Sequence, residues 1–211
     1  IVDISGINRF SRQILANAAG AIAGMVKVEV KAKAQGRPMI AASMFGVTTP
    51  CVTRAREILE ARGYEVLVFH SNGIGGRSME ELIRSGFFEG ILDITTTELA
   101  DEMIGGIRSA GADRLEAAGE IGIPQVVSAG ALDMVNFGPP ETVPTKFKGR
   151  RFYQHSPTTT LMRTTKEENE QLGKIIAEKL NRAKGPVTFI MPRKGVSSID
   201  MEGQPFFDAE A

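Results

Sequence analysis

The sequence predicts a doubly wound α/β fold, a three-layer sandwich in which a mostly parallel sheet lies between helices. Three observations predict it. Short apolar runs of strand length recur along the chain. Segments with helix-capping residues lie between them. Nearly every polar or glycine-rich cluster falls directly after an apolar run. In a parallel sheet such clusters all emerge at the carboxyl edge, where open α/β sheets bind ligands.

The Ala- and Gly-rich stretch Ile7–Val26 places Ile7, Phe10, Ile14, Leu15, Ala18, Ile22 and Met25 near helical spacing. It predicts a closely packed helix facing another domain or subunit. Gln35-Gly-Arg-Pro38 then breaks the chain, so residues 1–37 read as a connector with an N-terminal helix and 38–211 as the α/β domain. The basic residues Lys27, Lys31, Lys33 and Arg37 read as solvated positions of that connector.

Met39–Phe45 is the first strand. Thr49 caps the following helix, with Pro50 at its first position and Val52, Ile58 and Leu59 on its apolar face, until Arg62-Gly63. Val66–Phe69 is the second strand. It leads into His70-Ser-Asn-Gly-Ile-Gly-Gly76, and Ser78-x-x-Glu81 is a capping box opening a helix over Met79–Ser85, closed by Gly86. Gly90–Leu92 is the third strand, running into Asp93-Ile-Thr-Thr-Thr-Glu98. Asp113-x-x-Glu116 opens a short helix before Gly122-x-Pro124. Gln125–Val127 is the fourth strand, ending at Ser128-Ala-Gly-Ala-Leu-Asp133.

Leu132–Gly149 shows no period and reads as a long loop of the functional or interface kind. Phe152–His155 is a less apolar strand, followed by the polar loop His155–Thr165. Thr165-x-x-Glu168 opens the last long helix, closed by Gly185-Pro186. Val187–Met191 is the sixth strand and ends at Pro192-Arg-Lys-Gly-Val-Ser-Ser198.

Composition bounds the partners. The 211 residues carry no formal net charge, which argues against nucleic acid or an acidic membrane surface. No apolar run reaches the roughly 18 residues of a membrane span. One cysteine excludes an internal disulfide and a cysteine-rich zinc site, and a cytoplasmic location is expected. The sequence begins at Ile1 with no signal-peptide pattern and reads as a piece of a longer chain.

The Gly73–Arg77 turn is the sharpest local signal. Gly73, Gly75 and Gly76 between a strand and a capped helix let backbone N–H groups approach an anion, and Arg77 adds a bidentate contact. The order Gly-Ile-Gly-Gly is not the dinucleotide fingerprint G-x-G-x-x-G. A tight turn serving no ligand explains it equally well. Thr48, Thr49, Thr95, Thr96 and Arg163 are candidate supporting groups. Cys51, near a helix start, reads as a buried structural residue.

His70, Asp93, Glu98 and Asp133 are weaker candidates for acid–base work, and with His155 for a mixed nitrogen and oxygen metal set. No diagnostic ligand spacing supports a metal, and capping explains each carboxylate separately. There is no nucleophile–base pair at motif level. The residues therefore support a phosphate-ligand-binding domain first. An enzyme acting on a small carboxylate or carbonyl metabolite, and a dimerisation or protein-interaction module, stand as alternatives.

Taken together, several strings resemble the Tm-1-like ATP-binding family of uncharacterised function. They are Phe45-Gly-Val-Thr-Thr-Pro-Cys51, Leu67-Val-Phe-His70 with Gly73 and Gly75-Gly-Arg77, and Leu92-Asp-Ile-Thr-Thr-Thr-Glu98. Further on come Gly130-Ala-Leu-Asp-Met-Val-Asn-Phe-Gly138, Leu161-Met-Arg-Thr-Thr165 and Lys194-Gly-Val-Ser197. Proteins of that family are about twice this length, with two Rossmann-like halves. This chain is similar to the second half plus the connector from Asp3-Ile-Ser-Gly-Ile-Asn8, stopping within the Phe206-Phe-Asp208 segment. The resemblance implies ATP as the ligand, a homo-oligomer, and an N-terminal domain as partner, and Mg²⁺ is expected beside the ligand. It implies no established reaction.

Overall fold

The structure, a computed structural model, describes residues 6–28 and 36–211, in two compact units, Ile1–Gly36 and Arg37–Ala211. Lys31, Lys33, Gln35 and the Asp3–Ser5 part of the connector lie outside the described residues. In the first unit, helix α1 (Arg9–Lys27) starts at Asn8, whose side chain accepts the Phe10 and Ser11 N–H groups at 2.9 Å each. None of its residues is buried, and Phe10, Ile14, Leu15, Ile22 and Met25 all face outward.

The second unit is built on a five-stranded parallel sheet. Its strands are β1 (Met39–Met44), β2 (Glu65–His70), β3 (Gly90–Thr95), β4 (Gln125–Gly130) and, after three strands described below, β8 (Val187–Ile190). The spatial order is β2-β1-β3-β4-β8, so the direction of winding reverses between β1 and β3. That reversal is where doubly wound sheets open a crevice at their carboxyl ends. The helices α2 (Thr49–Ala61), α3 (Ile74–Arg84), α4 (Thr97–Ile104), α5 (Ala117–Ile121) and α6 (Lys166–Asn181) cross over between strands. The mostly parallel sheet with flanking helices is the predicted sandwich. Burying one Ile, Leu or Met side chain contributes about 1.5–3 kcal/mol. One cluster joins Met79 and Ile83 of α3 to Ala41 and Ile91. A second sets Leu172 and Ile176 of α6 against Val127.

A small antiparallel sheet is inserted between β4 and α6: β5 (Met134–Phe137), β6 (Phe152–Ser156) and β7 (Thr159–Arg163), in the order β5-β7-β6. Two expectations are corrected here. Phe152–His155 is a strand of this second sheet, because β6 pairs with the adjacent hairpin partner β7. Leu132–Gly149 is not one loop: it holds β5 and two 3₁₀ turns, Pro140–Thr142 and Thr145–Phe147. The polar stretch after His155 is the β6–β7 hairpin.

Among the helices, Thr165 caps α6 as expected: its hydroxyl accepts the Glu168 N–H and Glu168 accepts the Thr165 N–H. Helix α3 starts at Ile74 instead of Met79, since Gly73 already turns the chain. Thr97–Ile104, inside and beyond an expected loop, is helix α4. Asp113-x-x-Glu116 precedes its helix, which begins at Ala117. Thr48, not Thr49, stands before α2, at the end of the 3₁₀ turn Gly46–Thr48. Cys51 is exposed on α2, not buried. Among the described residues no helix is long and apolar enough to cross a membrane.

Candidate functional site: the carboxyl edge of the parallel sheet

The loops at this edge are tied to one another through their hydroxyls. Ser43 donates to Asp93 at 2.6 Å and accepts the Thr95 N–H at 2.8 Å. The hydroxyls of Thr48 and Thr95 lie 2.7 Å apart, bridging the gap between β1 and β3. Thr96 donates to the Ser128 carbonyl, and the half-buried Thr49 to the Phe45 carbonyl. All of Thr48, Thr95 and Thr96 are buried. The crevice at the winding reversal is therefore closed by its own side chains.

The glycine turn is filled as well. Glu98 Oε1 accepts the Gly73 N–H at 2.7 Å and the Gly76 N–H at 3.1 Å, while the Gly75 N–H donates to Asn72 Oδ1 at 3.1 Å. An internal carboxylate sits where an external anion was expected. Gly73 adopts φ +91°, and a Cβ there would stand 2.7 Å from the Ser109 carbonyl. The turn thus admits both the Glu98 carboxylate and the Arg108–Ser109 backbone. Arg77 is exposed on the first turn of α3, where its N–H donates to the Gly73 carbonyl at 3.1 Å, and its side chain makes no hydrogen bond or ion pair among the described residues.

Behind the turn lies Arg114, fully buried. Its guanidinium donates to Asp93 at 2.5 and 2.7 Å, to Glu98 at 2.7 Å and to Glu80 at 3.3 Å. Glu80 also accepts the Leu115 and Ala117 N–H groups. Burial pushes the Glu80 carboxyl up, against the pull of Arg114. Burial lowers the Arg114 pKa, but Asp93, Glu98 and Glu80 together hold it well above the usual arginine value. This network braces the edge and offers no free donor to a ligand.

Asp133 and Arg163 sit elsewhere, on a cavity of about 660 Å³ beside α6 and β8. Ser197 donates to Asp133 Oδ2 at 2.8 Å, while Oδ1 has no partner among the described residues. Burial, opposed by the Ser197 bond, pushes the Asp133 carboxyl up to about 7. Arg163 is engaged by the Phe206 carbonyl, Thr164 and Asp200. This cavity is lined mostly by apolar side chains with Asp133, Asp200 and Asp208, and its one arginine is already engaged.

Arg108 has a buried side-chain donor without a partner among the described residues. It follows α4 and lines a pocket of about 130 Å³ with Phe45, Gly46, Val47, His70, His155, Thr159 and Leu161. Its guanidinium carbon stands 5.3 Å over the Phe45 ring, and the buried Nε has no hydrogen-bond partner among the described residues. The His70 ring also stacks on Phe45, with centroids 5.3 Å apart. Gly46 and Val47 open the 3₁₀ turn into α2, so helix geometry leaves their N–H groups without an intrahelical carbonyl. No carboxylate lines this pocket.

Asp101 fixes the turn that carries Arg108. Its Oδ1 accepts the Arg108 N–H at 3.2 Å and the Asn136 N–H at 3.0 Å, and Oδ2 accepts Asn136 Nδ2 at 2.7 Å. Burial, against these bonds, pushes its carboxyl up to about 7.

The structure thus brings together His70 and His155 from opposite sheets, as no sequence spacing shows. It does not assemble His70, Asp93, Glu98 and Asp133 into one hydrogen-bonded set: Asp93 and Glu98 meet at Arg114, and Asp133 pairs with Ser197. Among the described residues, no three His, Cys, Asp or Glu side chains converge as a metal set. Sequence reasoning missed Arg108, Glu80, Arg114 and Asp101. For Arg108 the available signal was a lone cation in a glycine-bracketed stretch, Gly105-Gly-Ile-Arg-Ser-Ala-Gly111.

Comparison with known proteins adds a family. Residues 37–211 match the uncharacterised protein family UPF0261 C-terminal domain, and residues 1–31 match the N-terminal domain of the same family. A UPF0261 protein of Clostridium tetani is 60% identical over 210 residues, covering 100% of this chain and 52% of that protein. A UPF0261 protein of Mesorhizobium japonicum is 50% identical over 211 residues, covering 100% and 53%. The ToMV resistance protein Tm-1(GCR237) of Solanum lycopersicum is 48% identical over 216 residues, covering 100% and 29%. The chain spans about half the length of the bacterial relatives it matches.

Proposed function

The chain belongs to the UPF0261 family, and on that premise we propose that it binds a phosphorylated ligand, ATP among the candidates, at the carboxyl edge of its parallel sheet. The observation that carries this reading is Arg108, a half-buried guanidinium with an unpartnered Nε in a pocket free of carboxylates. A guanidinium whose buried Nε lacks a hydrogen-bond partner gains from an inserted anion, since charge-assisted hydrogen bonds contribute about 1.5–3 kcal/mol each. The Arg108 fork, two imidazoles and the Gly46 and Val47 N–H groups supply more donors than a carboxylate needs. They suit the three oxygens of a terminal phosphate.

Size refines the reading. A water's share of liquid volume is about 30 Å³, so a pocket of about 130 Å³ holds one phosphate-sized group. The rest of a nucleotide extends past the rim. Mg²⁺ would travel with the ligand's phosphates, its usual ligands alongside one or two carboxylates.

Calorimetric titration of the purified chain and of a full-length relative with ATP and with inorganic phosphate, with and without Mg²⁺, tests this. Arg108→Gln is expected to raise the Kd at least tenfold. A folded full-length protein that binds neither probe overturns the reading.

A second reading concerns α1, whose apolar side chains are all exposed and which lies in the segment matching the N-terminal domain. That helix face suits packing within the N-terminal domain of the full-length protein, or a dimer interface. Light scattering of the full-length protein separates the two.

A further inference from the structure

We propose that Asp101 is a positioning residue for ligand binding, holding Arg108 in the attitude that receives the phosphate; this rests on the reading of the Arg108 pocket given above. Arg108 itself has no side-chain hydrogen bond among the described residues, so its direction is set by the backbone beneath it and by the Phe45 ring.

That backbone is held almost wholly by two residues. The Asp101 carbonyl accepts the Gly105 and Gly106 N–H groups at 2.9 Å each, its carboxylate accepts the Arg108 N–H, and the Asn136 carbonyl accepts the Ile107 N–H at 2.9 Å. Asn136, the third residue of β5, closes the clamp by donating both its N–H and its side-chain amide to the same carboxylate. Four consecutive N–H groups, 105 to 108, are thus taken by one helix end and one strand. Gly106 is required at this point because a Cβ there would overlap the Asp101 carboxylate. The Asp101 carboxylate and Asn136 are fully buried, and neither lines the pocket. The clamp therefore acts on the ligand through Arg108.

The clamp's chemistry supplies its own control. Asn136 Oδ1 is buried without a partner among the described residues. An asparagine at 101 keeps an acceptor for the Arg108 N–H and can donate its amide to Asn136 Oδ1 after the Asn136 side chain turns over. An alanine at 101 leaves the Arg108 and Asn136 N–H groups with nothing.

The test measures the Kd for inorganic phosphate by calorimetry on the full-length protein carrying the wild-type residue, Asp101→Ala, Asp101→Asn and, separately, Arg108→Gln. Circular dichroism and thermal melting establish that each is folded. Asp101→Ala is expected to raise the Kd about tenfold, with Asp101→Asn within about threefold of wild type. A folded Asp101→Ala protein with wild-type Kd overturns the proposal, as does an Asp101→Asn protein weakened as much as the alanine variant. If Asp101→Ala does not fold, Gly106→Ala, which pushes the turn off the carboxylate, is read by the same criterion. Should wild type bind phosphate and Arg108→Gln bind it equally well, the pocket reading itself falls, whatever Asp101 does.

Discussion

Glu98 accepts the Gly73 N–H at 2.7 Å, and by doing so occupies the nest that the glycine turn forms at the start of α3. The same carboxylate accepts the Gly76 N–H with one oxygen and the Arg114 Nε–H with the other. One side chain thus joins the turn after β2 to the braced core behind β3. Replacing it with alanine leaves two buried N–H groups unsatisfied, each worth about 1–3 kcal/mol. Glu98→Ala is expected to lose about 3 kcal/mol in urea denaturation, and Glu98→Gln, which retains the acceptor, clearly less.

Gly75 carries a different constraint. A Cβ at this position would overlap the His70 carbonyl oxygen and lie 2.8 Å from its carbon, and both are backbone atoms that cannot swing aside. Gly75→Ala is expected to lower stability by about 3 kcal/mol, at the upper end for overpacking. A thermal melt unchanged from wild type would contradict it.

Arg114 is the single buried cation among Glu80, Asp93 and Glu98. Removing one partner of a buried ion network costs about 3–5 kcal/mol because the remaining charges are left uncompensated. Arg114→Met is expected to show that loss at pH 8. At pH 5 the loss shrinks, because the Glu80 carboxyl, already pushed up by burial and no longer opposed by the Arg114 charge, takes up a proton. Equal losses at the two pH values would argue against it.

The Asp133 carboxyl is pushed up by burial from 3.8 to about 7. Over that interval the native state holds a proton that the unfolded state has released. The group's contribution to stability is therefore full below pH 4 and is lost as pH rises through about 7. Asp133→Asn carries no such proton. Its stability relative to wild type is expected to climb between pH 4 and pH 7 by about 1–3 kcal/mol and then level off. Chemical denaturation at four pH values across this window measures it, and a flat difference would refute the burial argument.

Much of the fold was legible because its signals are local. The Thr165 and Glu168 box marks the start of α6, and the apolar runs at 39–45, 66–69, 90–92, 125–127 and 187–191 fall on the parallel strands. The antiparallel insertion was not legible as such. Met134–Phe137 is four residues long, and β6 alternates poorly, with Phe152 exposed and only Tyr153 and Ser156 half-buried. Strands that short draw their stability from the partner across the ladder more than from their own pattern. Helix α4 was hidden because its first residues, Thr97 and Glu98, follow a threonine run that also reads as a strand-end loop.

The convergence of polar loops on the carboxyl edge was legible in the sequence, because loops that follow buried strands emerge at that edge wherever the strands run parallel. Which donors there remain free was fixed by contacts between distant segments. The glycine turn looks open in sequence, yet Glu98, 22 to 25 residues further on, fills it. Arg108 looks ordinary, yet it stands over Phe45 beside two histidines from separate sheets. The physical reason is that capping and periodicity act within a turn or two of chain, whereas the satisfaction of a buried polar group depends on whatever the folded topology brings against it.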